Sequence, residues 1–338
     1  MSGSTIRNAE GGAVTTLADV AAMAGVSKST ASRALSRSDL VAPETVARVR
    51  SAAEQLGFIP NRAASQLARG RTGMVAVVVP TLDNAFFTPI IAGAQARARD
   101  ADIQLTVAVH PLGDDADLAE FERLARQVDG CIMVAPRGPD EVVRTAGALV
   151  PTVLVDREIE GMASVVADTA TAFADLVTRF IDAGHRDVAY LGGPDGSWQD
   201  RQRTAAVRSA AAGRAELSVL GPYPATFAAG VTATDAVVSS RATAVVPYAT
   251  SLGLGLVFAL RGRGVASPGD VVVSAERLVA EALGAEHVPA IDVDGEVLGR
   301  EAMATLAELI TSSLPAAPQQ RRLPVAVHWP LGSRTPTH

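Results

Sequence analysis

The stretch from Thr16 to Leu35, TLADVAAMAGVSKSTASRAL, decides how this chain is read. Thr16 followed three residues on by Asp19 predicts a helix start, because the hydroxyl can accept an orphan amide and the carboxylate suits the positive end of the helix dipole. Leu17, Val20, Ala21 and Ala24 then share one face. Gly25 ends this helix, Val26 plugs the turn, and Ser27 caps a second helix through about Leu35. In that second helix Thr30, Ala31, Ala34 and Leu35 are spaced to pack inward, while Lys28, Ser29, Ser32 and Arg33 project outward. Two short helices joined by a tight glycine turn form a helix-turn-helix. A third helix from Pro43 to Leu56, closed by Gly57, completes the bundle through Val46, Val49, Ala53 and Leu56.

The 338 residues carry a net charge of -6, which over the whole chain argues against a nucleic-acid partner. That average conceals two unlike parts. Up to Gly73 nine basic and five acidic residues give +4, and the remaining 21 basic and 31 acidic residues give -10. A basic head on an acidic body is the asymmetry of a DNA-reading module attached to a regulatory domain. The length itself asks for two or more domains. At 48% hydrophobic and 20% charged, the composition excludes a wholly disordered chain. No apolar run reaches the roughly 18 residues of a membrane span, so no membrane partner is expected. Residues 1–15 have no signal-peptide core and read as a flexible tail on a cytoplasmic protein. Cys131, the single cysteine, reads as a small buried hydrophobe. The five histidines are scattered, and neither a metal nor a cofactor is expected.

The run LADVAAMAGVSKSTASRAL, continued by APETVARVRSAAEQLGFIPNRAASQLARG, resembles the head of the LacI/GalR family of bacterial repressors. It joins a helix-turn-helix over residues 16–60 to a hinge over 61–73, carried by Pro60-Asn61-Arg62 and Ala64-x-x-Leu67. The resemblance implies that the second helix enters the major groove. Lys28 and Ser29 would be variable base readers, and the Arg33 fork would meet O6 and N7 of guanine. Thr30, Ser32 and Asn61 suit phosphate contacts, which set register, and Thr16 joins the same DNA-facing set. Arg62, Ala64 and Leu67 would lie on a hinge helix that folds in the minor groove, with Leu67 wedged between base steps. One departure is Ala42, where relatives carry a capping Ser or Thr worth about 1 kcal/mol.

From Met74 onward β-rich runs (MVAVVVP, QLTVAVH, GCIMVAP, PTVLVD, DVAYLGG, TAVVPY, DVVVSA) alternate with helical spacing such as Ile90 to Ala101 and Leu118 to Val128. Apolar strands separated by helices predict parallel sheets covered on both faces. The fold class is therefore an all-α three-helix head plus an α/β body over 74–334, in which two Rossmann-like lobes bind a ligand where the strand carboxyl ends meet. This body also resembles the family, whose effector domain is similar to periplasmic sugar-binding proteins. The resemblance implies an N-lobe of about 74–158 and 291–320 and a C-lobe of about 163–288 and 323–334. The chain would then cross between lobes near 158–163, 288–291 and 320–323.

Family positions facing the effector map onto Asp83, Phe86, Phe87, Arg157, Trp198 and Arg203. Core packing competes as the role of the two phenylalanines, and an interlobe salt bridge as that of Arg203. At two sites the chain departs from its relatives. Pro247-Tyr248 stands where an Asn-Asp pair is usual, and Glu276-Arg277 where an Asp is expected. Tyr248, Glu276 and Arg277 thus complete the candidate site. The departures weaken the case for an ordinary neutral sugar and leave open an anionic ligand, an aromatic ligand or a degenerate site, and Arg157, Arg203 and Arg277 together predict a negatively charged effector.

Two other classes fit less well. The Gly192-Gly193-Pro194-Asp195-Gly196 loop matches neither G-x-G-x-x-G nor the P-loop, and the sequence holds no H-E-x-x-H and no nucleophile elbow, so no catalytic residue is assigned. A free solute-binding receptor would need an export signal in place of the head. The expectation is a homodimeric transcription regulator, a repressor, with two heads on a palindromic operator in double-stranded DNA. A small-molecule effector, a sugar, sugar derivative or other small metabolite, would change the lobe angle. The tail after Trp329 has no leucine heptad, which favours a dimer over a tetramer.

Overall fold

The computed structural model describes residues 15–36, 40–58, 71–312 and 318–330. The chain divides into two compact units between Gly73 and Met74. In the first, helices α1 (Leu17–Met23), α2 (Lys28–Ser36) and α3 (Pro43–Gln55) enclose a small core of Val20, Ala21, Ala31, Ala34, Val46 and Val49. The start of α1 is the capping box expected of Thr16 and Asp19: the Thr16 side chain lies against the Asp19 amide, and Asp19 Oδ2 accepts from the Thr16 hydroxyl and from the Thr16 N–H, each at 2.8 Å. These bonds hold the Asp19 carboxyl below the usual carboxylate range, the backbone amide being the larger cause. Ser27 does cap α2, its Oγ accepting the Thr30 N–H at 3.1 Å. Ala42 makes no side-chain cap, and Pro43 opens α3.

Among the described residues the second unit contains three sheets. The largest joins β1 (Met74–Val79), β2 (Gln104–Val109), β3 (Gly130–Val134), β4 (Thr152–Val155), β5 (Ala163–Ala167) and β12 (Gln320–Leu323) in the order β2-β1-β3-β4-β5-β12. All its pairings are parallel. Side chains of β1 alternate between two cores. Val75, Val77 and Val79 meet α4 (Phe87–Asp100) and α12 (Gly295–Thr311), while Ala76 and Val78 meet α5 (Asp115–Ala125) and α6 (Asp140–Leu149). Burial on both faces is why these strands read as continuous apolar runs. The second sheet, β7-β6-β8-β9, is built from β6 (Asp187–Leu191), β7 (Glu216–Leu220), β8 (Ala244–Pro247) and β9 (Val272–Val273), again all parallel. Helices α7 (Thr169–Asp182) and α8 (Trp198–Ala211) cover one face, and α9 (Phe227–Ser239) and α10 (Thr250–Gly262) the other. A small third sheet pairs β10 (Ala275–Glu276) in parallel with β11 (Ala290–Asp292), and β11 antiparallel with β13 (Ala326–His328). The short helix α11 (Arg277–Ala282) follows β10.

The lobe crossings differ from the expected ones by a few residues. Both β5 and β12 hydrogen-bond within the first sheet, so the chain leaves that lobe after Ala167 and after Leu323. The run Gln320-Arg321-Arg322-Leu323 is therefore an edge strand. Arg322 pairs with Glu158 and Arg321 with Glu301, which offsets the charge the strand carries. Helices α4 and α12 approach with no room for a side chain: a Cβ on Gly299 would stand 1.9 Å from the Ile90 carbonyl oxygen, and one on Gly93 2.0 Å from that of Glu296. Cys131 lies fully buried in β3, and burial pushes its thiol pKa up, consistent with an inert core residue.

Candidate functional site

On the first unit, α2 turns Lys28, Ser29, Ser32 and Arg33 to solvent while Ala31 and Ala34 are buried. Thr30 is partly buried, its Oγ1 2.8 Å from Ser27 Oγ. The alanines set this division: their small side chains let α2 lie close on α1 and α3 without drawing its long polar residues inward. The result is a short helix with one exposed, cationic, hydrogen-bonding face. Asn61, Arg62, Ala64 and Leu67 lie outside the described residues.

In the second unit the two lobes meet through the ends of β4 and β6. Asp156 follows β4 with φ 56°, a left-handed conformation that costs a non-glycine residue on the order of 1 kcal/mol or more. Its buried carboxylate accepts from Gln199 Nε2 at 2.9 Å, across from one lobe to the other. One helical turn along α8, Arg203 donates through Nε to Thr169 Oγ1 at 2.9 Å and through Nη1 to the Tyr248 carbonyl at 2.8 Å. Its guanidinium carbon also lies 4.6 Å from the Phe173 ring centroid and 4.8 Å from that of Tyr248. The Tyr248 hydroxyl is 3.0 Å from Ser197 Oγ, and Ser197 in turn caps α8 by accepting the Asp200 N–H at 3.1 Å. Asp200 Oδ1 accepts from the Tyr190 hydroxyl at 2.7 Å and the Gly193 N–H at 2.6 Å, which fixes the glycine turn. Gly196, at φ 76°, comes so near the other lobe that a Cβ would stand 2.7 Å from the Arg137 carbonyl oxygen. Burial raises the carboxyl pKa of both Asp156 and Glu276, with the Arg203 charge opposing it.

The structure brings Arg203, Tyr248 and Glu276 together at the strand ends and separates the other expected residues from them. Arg157 is buried; its Nη atoms donate to the Pro136 and Gly138 carbonyls at 2.6 and 2.7 Å and to Asp140, while its buried Nε has no partner among the described residues. Arg277 lies at the surface, paired with Glu281 and Asp292. Phe87 is a core residue of the first lobe, Phe86 packs against that core, and Asp83 is exposed. Trp198 lines an open groove of about 490 Å³ with Glu158, Glu160, Gln202, Gln320 and Arg322. Arg157 and Arg277 are ion-paired with Asp140, Glu281 and Asp292, whereas the hydrogen bonds of Arg203 go to neutral groups, so of the three arginines expected to attract an anion only Arg203 stands at the strand ends without a salt bridge among the described residues. Asp156, Thr169, Phe173, Ser197 and Gln199 were missed as site residues. The legible signal was the i, i+4 spacing of Gln199 and Arg203 on a helix that follows a glycine turn.

A helix-turn-helix joined to a two-lobed α/β receptor defines a DNA-binding regulator with a sensory body. The chain belongs to the LacI family: residues 16–61 match the family model for bacterial regulatory proteins of the lacI family. Residues 72–327 match the model for periplasmic binding proteins and the sugar-binding domain of that family. It is 29% identical over 317 residues to the HTH-type transcriptional regulator CelR of Thermobifida fusca, covering 88% of this chain and 92% of that protein. It is 32% identical over 208 residues to PtxS of Pseudomonas plecoglossicida, covering 60% of this chain but only 61% of that protein. The lac repressor dimer bound to operator and the anti-inducer ONPF shares the fold, with TM-score 0.78 at 23% identity over 93% of this chain and 97% of that one. These relatives are transcriptional regulators, not enzymes.

Proposed function

We propose that the protein is a repressor that binds a palindromic operator as a homodimer in the cytoplasm, and that the cleft between its lobes is the regulatory site. The observation that carries the first part is the solvent face of α2, where Lys28, Ser29, Ser32 and Arg33 stay exposed while Ala31 and Ala34 turn to the core. In this reading Lys28, Ser29 and Arg33 contact base edges and Thr16, Thr30, Ser32 and Asn61 hold phosphates, while Arg62, Ala64 and Leu67 act from the minor groove. Self-association is supported by apolar surface left uncovered on both lobes: Val107 and Val109 on edge strand β2, and Phe227, Val231 and Phe258 on α9 and α10. A groove of about 470 Å³ beside β2, lined by Ile91, Ala92 and Leu105, extends the first of these patches. The regulatory role of the cleft is supported by Gln199, which ties α8 to Asp156 of the opposite lobe and couples any change at Arg203 to the lobe angle.

Selection from a pool of random duplexes tests the reading. It is expected to return a two-fold symmetric site, and sedentation by ultracentrifugation is expected to give a dimer. Recovery of no enriched sequence, or a monomer at micromolar concentration, would sink it.

A further inference from the structure

The glycine turn and the departure at residue 248 meet in one place. The Tyr248 ring lies against Gly193, where a Cβ would stand 2.5 Å from its Cδ2 atom. Only glycine leaves room for the ring. The same ring faces the Arg203 guanidinium, and its hydroxyl reaches Ser197. What remains open beside it, between Phe173, Pro247, Thr250 and Glu276, is about 10 Å³. That is space for one water, against the roughly 300–1,000 Å³ of an ordinary ligand site.

We propose that Tyr248 is a built-in occupant of the interlobe site and its specificity-determining residue: it stands where a ligand would and shuts out neutral sugars. The inference rests on the reading of the cleft as the regulatory site. Tyr248 supplies what a stacked, hydroxylated ligand would supply, an aromatic face for Arg203 and a hydroxyl for Ser197. Because it is part of the chain, it competes at the high effective concentration of an intramolecular group, and a sugar of ordinary affinity does not displace it.

The test uses the full-length protein and named probes. Glucose, ribose and cellobiose at millimolar concentration are expected to leave the melting temperature of the wild type unchanged. Tyr248→Gly is expected to melt lower and to regain stability saturably with 4-methylphenol, which matches the deleted side chain, whereas the wild type gains nothing. Saturable binding of any of the three sugars to the wild type overturns the proposal, as does an equal response of both proteins to 4-methylphenol. Should Tyr248→Gly fail to fold, Tyr248→Phe keeps the ring and decides the matter: sugar binding by that variant overturns the proposal, and its absence supports it. If 4-methylphenol stabilises Tyr248→Gly without changing its operator affinity, Tyr248 stands as the occupant and the cleft fails as the regulatory site.

Discussion

Arg33 and Glu276 show how differently a charged residue acts when it is exposed and when it is enclosed. Arg33 is exposed on α2 and makes no fold contact, so Arg33→Ala should leave the melting temperature within error. If its fork is bidentate to guanine, the same change costs about 1–3 kcal/mol of specific binding and relaxes base preference at one half-site position, measured by anisotropy on single-base variants of the operator. Glu276 is the opposite case. Burial raises its carboxyl pKa against the pull of Arg203, so the folded body binds this proton more readily than the unfolded chain does. The stability it contributes is fully present below the ordinary carboxylate range and is lost as pH rises through the raised value. Glu276→Gln removes that loss. The melting-temperature difference, variant minus wild type, should therefore grow as pH rises through the raised value and level off beyond it; a flat or falling difference would contradict the sign.

Packing between elements depends on features that periodicity reveals unevenly. Gly299→Ala places a methyl group against the Ile90 carbonyl in the α4–α12 contact. It should destabilise the body by about 1–3 kcal/mol, read from denaturant unfolding, because helix backbones do not yield as side chains do. The α2 faces were legible because Ala31 and Ala34 recur at helical spacing between polar residues, and β1, β3, β4 and β8 because they are apolar on both faces. Strand β12, QRRL, was not legible: its arginines are offset by Glu158 and Glu301, residues far away in sequence. Strand β7, ELSVL, is an edge strand with only partial burial, and its pattern is correspondingly weak. The same limit applies to the cleft. Arg203 could be found from the motif around it, but Arg157 and Arg277 look identical in sequence and are claimed by Asp140, Glu281 and Asp292 only once the chain folds.

The whole molecule places +4 on the residues up to Gly73 and -10 on the rest, and this partition has a consequence for how it finds DNA. Phosphate contacts by Lys and Arg release counterions, so log affinity falls with log salt at about 0.9 per phosphate neutralised. On the proposed reading the acidic body adds no such contacts, so the salt slope is expected to come from the head. Lys28→Ala, which removes one exposed cation from the base-reading face of α2, should therefore alter base preference and leave the slope unchanged, whereas a slope lowered by about one per head would move Lys28 from a base edge to a phosphate. Titrating salt against affinity for both the selected operator and a scrambled duplex separates these outcomes. A slope that responded equally to removing an exposed arginine of the body, such as Arg241, would show that the body also meets DNA and that the charge partition does not describe the complex.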